Sequence, residues 1–217
     1  MKFRVIVGDD LKEKYQFAGG LENKYVSSKC IIQGDSDVHV VKEREKVKAV
    51  IVGKVLGIKN GNVLERIDEK HPDVQKLLCS ETVDNCMKQL EGRFVVARLN
   101  KDDDYEIFSD RFGQFDCYYE EKGDGVIFAT GLDLLPFKES SIEYDQIALA
   151  HSLYVYGFRP PKHHTLYNNV KRLRVGEFAN WNVELIMSLL LSPLCSKLES
   201  IIIETSWVPI EKESISF

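Results

Sequence analysis

The residues able to do chemistry in this chain are its cysteines, its paired histidines and a few carboxylates. Their spacing excludes most of the chemistry those residue types suggest. Five cysteines, Cys30, Cys79, Cys86, Cys117 and Cys195, form an odd count with no C-x-x-C pair, which points to reduced thiols rather than to a disulfide framework. His163-His164, taken with Cys117 or His151, lacks ligand spacing of the zinc type and reads as part of a surface loop after Pro160-Pro161. Asp102-Asp103-Asp104 lacks the glycine and bidentate glutamate of a calcium loop, so it reads as a solvated hairpin turn. Glycine-rich phosphate loops are absent. Neither a metal nor a cofactor is expected.

The remaining candidates, Glu91, Gly92, Asp110, Arg111 and Gly113, lie within residues 90–136, the stretch around which the chain is organised. Its pattern predicts four short strands at 94–99, 105–109, 117–120 and 126–130. A polar turn at 100–104, the compact Arg111-Phe112-Gly113-Gln114 turn and the Lys122-Gly123-Asp124-Gly125 loop separate them. Loops this short cannot hold a crossover, so the four are expected as an antiparallel meander.

Upstream, residues 3–7 predict a first strand, 9–28 a polar loop with a short strand near Tyr25-Val26, and 30–32 with 38–41 a strand pair turning at 34–37. The charge run 42–48 is expected to be solvated, and the apolar run 49–52 to be a buried strand ending at Gly53. Val63, Leu64 and Ile67 are spaced for a short helix. Pro72 opens another in which Val74, Leu77, Leu78, Val83, Met87 and Leu90 recur at helical steps. Beyond the meander the pattern predicts a helix over 144–156, with Ile147, Ala148, Ala150 and Tyr154 on one face, then strands near Leu166 and at 177–181. The order of elements is α+β.

The central stretch resembles the amidotransferase half of the asparagine synthases, a class II glutamine amidotransferase domain of the N-terminal-nucleophile (Ntn) hydrolase kind. The resemblance rests on Leu90, Gly92 and Phe94, then Asp110, Arg111, Gly113, Tyr118 and Tyr119, then Phe128, Ala129 and Thr130. A second block comprises Tyr156-Gly157, Pro160-Pro161, Thr165-Leu166-Tyr167 and residues 170–176. The resemblance implies a four-layer α-β-β-α sandwich of antiparallel sheets, with an amidotransferase type 2-like domain over residues 1–182 and a C-terminal tail or linker over 183–217. No S-G-G-x-D-S pyrophosphate loop is present, so ATP-dependent amide synthesis is not expected in this chain.

By resemblance, the nucleophile would be a cysteine exposed by removal of Met1, with its own α-amino group as base. Here Lys2 follows Met1, so no catalytic residue is assigned. Cys30-Ile31-Ile32-Gln33-Gly34 has the C-x-I-x-G look of the family's N-terminus, and cleavage after Lys29 would expose it; the simpler reading of Cys30 is a small hydrophobe in a strand. The oxyanion motif N-G-E-I-Y-N is best matched by Val52-Gly53-Lys54-Val55-Leu56-Gly57, where Gly53 keeps an N–H but Val52 offers no donor. Glu91, beside Gly92, either holds a substrate α-amino group or is a solvated residue at a helix C-terminus. Arg44 is the weak match for a carboxylate-binding arginine. Asp110, Arg111 and Gly113 are expected to be architectural, the charged pair tying the turn by hydrogen bonds and the glycine supplying a positive φ.

A net charge of −5 argues against a nucleic-acid partner. The run 185–191 is too short to span a membrane, no signal-peptide core precedes residue 10, and the cytoplasm is the expected compartment. The leading expectation is an asparagine synthase-related, glutamine amidotransferase-like domain without glutaminase activity, serving a separate ATP-using synthetase chain as a structural or regulatory partner. The alternatives are an active amidotransferase supplying ammonia, through a processed Cys30 or another nucleophile, and a module that binds glutamine or another amino acid around Gly53 and Glu91.

Overall fold

The structure is a computed structural model that describes residues 1–15, 20–61, 63–100, 104–136, 143–154 and 163–181, with the backbone of 187–191. In chain order the elements are β1 (Phe3–Val7), α1 (Asp9–Tyr15), β2 (Glu22–Val26), β3 (Cys30–Gly34), β4 (His39–Glu43), β5 (Lys46–Asn60) and β6 (Val63–Glu65). Next come α2 (Pro72–Ser80), α3 (Val83–Gln89), β7 (Leu90–Leu99), β8 (Tyr105–Ser109), β9 (Tyr118–Lys122) and β10 (Gly125–Ala129). The chain continues with α4 (Gln146–Tyr154), β11 (Val170–Arg172), β12 (Glu177–Trp181) and β13 (Met187–Leu191).

Two antiparallel sheets result. The first has the order β11-β9-β10-β1-β3-β2; the second has β13-β12-β8-β7-β5-β4, with β6 paired to β5. Because side chains alternate across a strand, β1 sends Phe3, Val5 and Val7 into the core between the sheets, where they meet Val50, Val52, Val95 and Ala97. Ile6 points the other way, to pack with Leu11 and Tyr15 of α1. On the far side Ile51, Phe94, Val96 and Phe108 pack against Val74, Leu78, Cys86 and Met87 of α2 and α3. Burial on both faces explains the unbroken apolar run at 49–52, and in β1 the one polar residue, Arg4, is buried with Gln33 as its acceptor. The α+β class and the four-layer α-β-β-α sandwich expected from the sequence are those observed.

Several local expectations are corrected. The four strands of the central stretch are not one meander: β7 pairs with β8 in the second sheet, β9 with β10 in the first, and the Arg111–Gln114 turn carries the chain from one sheet to the other. Strands β3 and β4 likewise separate, β3 lying between β1 and β2 and β4 pairing with β5. The loop expected at 9–28 holds α1, whose Leu11 and Tyr15 are buried. The charge run 42–48 forms the β4–β5 hairpin, with Arg44 and Glu45 both at positive φ. Strand β5 does not end at Gly53, and Val63 and Leu64 lie in β6 rather than in a helix.

The helix opened by Pro72 is two helices. His71 caps α2, and Thr82 begins α3 by accepting the Asn85 N–H at 3.3 Å. Arg98 holds the break against the sheet, donating to the Glu81 carbonyl and pairing with buried Glu106, Nε to Oε2 2.7 Å. Leu166 sits between isolated bridges rather than in a strand. Past residue 182, where the sequence places the end of the domain, β13 extends the second sheet by pairing with β12. The expected features at 101–103, 155–161 and beyond 191 lie outside the described residues. No described helix is long and apolar enough to cross a membrane.

Helix α4 buries only Ala148, while Ile147 and Tyr154 are exposed, so the expected four-residue face is not a packed one. Asp145 anchors the helix instead. Its Oδ1 accepts the Ile147 and Ala148 N–H groups, each at 3.0 Å, and its Oδ2 accepts from His164 Nδ1 at 2.6 Å and Lys171 Nζ at 3.2 Å. Burial alone would raise this carboxyl's pKa, but the hydrogen bonds from His164, Ala148 and Lys171 outweigh it and hold the value at about 2. A depressed folded-state pKa contributes stability that is full above the unfolded value of about 3.9 and is lost as pH falls toward the folded one. Between pH 5 and pH 2 the parent chain should therefore lose about 2 kcal/mol more than Asp145→Asn, as read from urea unfolding at each pH.

Candidate functional site

The longest strand ladder among the described residues positions the site. Strands β5 and β7 pair from Ala49↔Arg98 to Ile58↔Leu90. The row of β5 that faces the inner core runs Val50, Val52 and then Lys54; on β7 it runs Ala97, Val95 and then Arg93. Where the core ends, this row turns from apolar to cationic, with Lys54 directly opposite Arg93. Between them and the first sheet lies a cleft of about 580 Å3, lined by Met1, Gly53, Lys54, Leu56, Arg93, Phe115, Asp116 and Thr130.

Gly53 lines this cleft, and its φ of +104° suits glycine far better than an L side chain. A Cβ there would strike the Arg93 carbonyl oxygen and sit 2.8 Å from the Phe94 Cα. Val52 is fully buried in the inner core, so its position offers no polar side chain to the cleft. On the opposite wall Thr130 is engaged by β1: its Oγ1 accepts the Phe3 N–H at 3.1 Å. The Met1 ammonium lies 3.5 Å from Asp35, and the Lys2 N–H donates to the same carboxylate at 2.6 Å. Burial would raise the Asp35 pKa, yet the Lys2 and Asp37 N–H groups and the ammonium together leave it below the usual range.

The loop that crosses between the sheets closes the cleft. Buried Asp110 accepts the Phe112, Gln114 and Phe115 N–H groups at 3.1, 3.0 and 3.0 Å, and the Gly113 N–H donates to its carbonyl. Gly113 has the expected positive φ, +59°. The carboxylate thus ties the turn as expected, but to backbone rather than to Arg111. Arg111 reaches back instead, 3.6 Å from Glu91, and lies over the Phe112 ring.

Glu91 and Gly92 line a second, neighbouring cleft of about 400 Å3 with Leu56, Lys59, Leu64, Phe112 and Gln114. The structure therefore does not gather Gly53, Glu91 and Gly92 around one cavity, and Glu91 stands at the start of β7, half-buried, rather than solvated at a helix end. Arg44 is at the tip of the β4–β5 hairpin and lines neither cleft. Two residues missed in the sequence, Lys54 and Arg93, supply the cations. The signal was present: each follows a glycine and continues the inward row of its strand by one step, but the pairing that makes them neighbours spans 39 residues of chain.

The four cysteines among the described residues lie elsewhere. Cys30 is fully buried on β3 in the inner core, and burial pushes its pKa far up. Its strand is flanked by β1 and β2, so cleavage after Lys29 would remove both pairing partners. Cys117 lies in the same core, its thiol pushed up to about 12 by burial; Cys86 lies beneath α3, pushed up to about 11 by burial; Cys79 lines another pocket beyond α2. His163 donates to the Arg172 carbonyl and His164 to Asp145. Among the described residues no group of three His, Cys, Asp or Glu side chains is placed to hold a metal.

The chain is thus a two-sheet sandwich with a cleft at one end of its inner core, closed by an Asp-Arg-x-Gly crossing. The glutamine amidotransferase domain family matches residues 73–188, more than half of the chain, and the chain belongs to that family. Among solved structures it is similar to glutamine phosphoribosylpyrophosphate (PRPP) amidotransferase from B. subtilis complexed with ADP and GMP, at 11% identity and a TM-score of 0.45. That match covers 89% of this chain and 43% of the other, so the chain spans less than half of that protein's length. No curated protein matches it.

Two substitutions test this geometry. Gly53→Ala should cost about 2 kcal/mol or more through the forced φ and the collision with β7. Asp110→Ala, which leaves three loop N–H groups without their acceptor, should cost about 3 kcal/mol. Both are measurable by chemical denaturation, with Leu153→Ala on exposed α4 as a near-neutral control.

Proposed function

We propose that this chain is a glutamine amidotransferase-like domain of the asparagine synthase kind that does not hydrolyse glutamine. Its retained role is to serve a separate ATP-using synthetase chain, in the cytoplasm, as a structural or regulatory partner. The observation that carries this reading is the lining of the 580 Å3 cleft. Among the described residues it presents a thioether, two cations, a carboxylate and an already engaged hydroxyl, but no thiol.

Hydrolysis of a carboxamide by this class of chemistry needs a nucleophile with a base in hydrogen-bond reach and donors for the developing oxyanion. The described cysteines are buried in cores or lie beyond α2, and Val52 removes the side-chain donor beside Gly53. Loss of one oxyanion donor alone costs about 2.7 to 4 kcal/mol of transition-state stabilisation, and loss of the nucleophile costs on the order of a millionfold in turnover. Both deficits fall on the same step, the attack that forms the tetrahedral intermediate, and neither supplies what the other lacks.

The purified chain, its intact mass verified, should release no glutamate from glutamine above the buffer blank in a coupled glutamate dehydrogenase assay. Release at rates near one per second, in the range of ordinary enzymes, would overturn the non-hydrolytic reading.

A further inference from the structure

We infer that the cleft at the end of the inner core is a receptor for a small organic anion, a carboxylate or a phosphate carried on a short apolar body, gripped by Lys54 and Arg93. The inference rests on the non-hydrolytic reading of the same cleft, because turnover would clear a resident molecule.

The first ground is the register. Lys54 and Arg93 are cross-strand partners, and like charges directly opposite each other on a sheet destabilise it. Such a pair is favourable when an anion sits between its two members. No carboxylate among the described residues neutralises either one. Asp116, the acid of the cleft, is committed at 3.2 Å to Arg172 and at 3.3 Å to the Tyr118 hydroxyl, and Asp35 is committed to the Met1 ammonium and the Lys2 N–H.

The second ground is pre-organisation. The Arg93 Nε donates to the Gln114 carbonyl at 3.1 Å, and its guanidinium lies over the Phe115 ring at 5.3 Å. Those two contacts fix the plane of the group while its terminal nitrogens have no partner among the described residues. That is the fork geometry that recognises carboxylate and phosphate, held in place before a ligand arrives. The neighbouring Met1, Leu56 and Phe115 supply apolar wall, and a cleft of about 580 Å3 has the size of a small-molecule site.

Isothermal titration of the full chain tests the assignment with glutarate, with inorganic phosphate and with glutaramide, the uncharged counterpart of glutarate. Saturable binding by glutarate or by phosphate, weakening as salt is raised, is expected, and the better of the two names the anion. Glutaramide should bind at least about tenfold more weakly, and Lys54→Ala and Arg93→Ala should each weaken the anion about tenfold or more. Without ligand, Lys54→Ala should melt no lower than the parent, since it relieves the opposed charges; this separates lost binding from lost folding. Failure of both anions to saturate at concentrations of about 10 mM, where a dissociation constant would correspond to about −3 kcal/mol, equal binding of glutaramide, or unchanged titration when Lys54→Ala and Arg93→Ala are combined would each overturn the inference. Glutamate release, measured separately, bears on the non-hydrolytic reading alone.

Discussion

The antiparallel ladder between β5 and β7 is the constraint on which the rest of the structure depends. It joins the outer core under α2 and α3 to the core between the sheets, because alternate residues of both strands serve the two faces. Its backbone must also bend where the inner core ends, and Gly53, at positive φ, allows β7 to approach closely there. Without that approach Lys54 and Arg93 would not stand opposite each other, and the cleft would lose its charged floor. Packing and site are therefore set by one hydrogen-bonded register.

A second dependence runs through Asp110. The chain leaves the second sheet at the end of β8 and enters the first at β9, and over residues 110–115 it must expose several N–H groups near a buried core. One buried carboxylate accepts three of them. The same loop carries Phe112, Gln114 and Phe115 to the two clefts, so a residue with a purely architectural role decides where the walls of the site stand. Arg111, turned toward Glu91, links the loop back to the base of β7 and sets a cation 3.6 Å from the carboxylate that lines the second cleft.

The cleft combines a fixed backbone frame with a lining of mixed chemistry. Gly53 and the crossing loop frame it at the end of the inner core, two cations line it, and among the described residues no thiol does. A scaffold of this kind needs its core and its register to fold, but neither depends on the identity of a nucleophile. Fold and turnover can separate for that reason.

The apolar runs, the α+β order and the compact turn at 111–114 were legible in the sequence, because each follows from local preference or from a period of two, whereas Gly53 and Asp110 were singled out by the family resemblance. The missed helix α1 and the false helix at Val63 and Leu64 show the limit of that reading: short segments of seven and three residues carry too little pattern to outweigh tertiary context. The assignment of strands to sheets was not legible either, since a short loop can close a hairpin or cross a sandwich, and only the partner surfaces choose. Lys54 and Arg93 as a pair belong to this second kind of knowledge. Each is an ordinary surface cation in one dimension, and they become a site only when pairing of distant strands sets one against the other at the edge of a dry core.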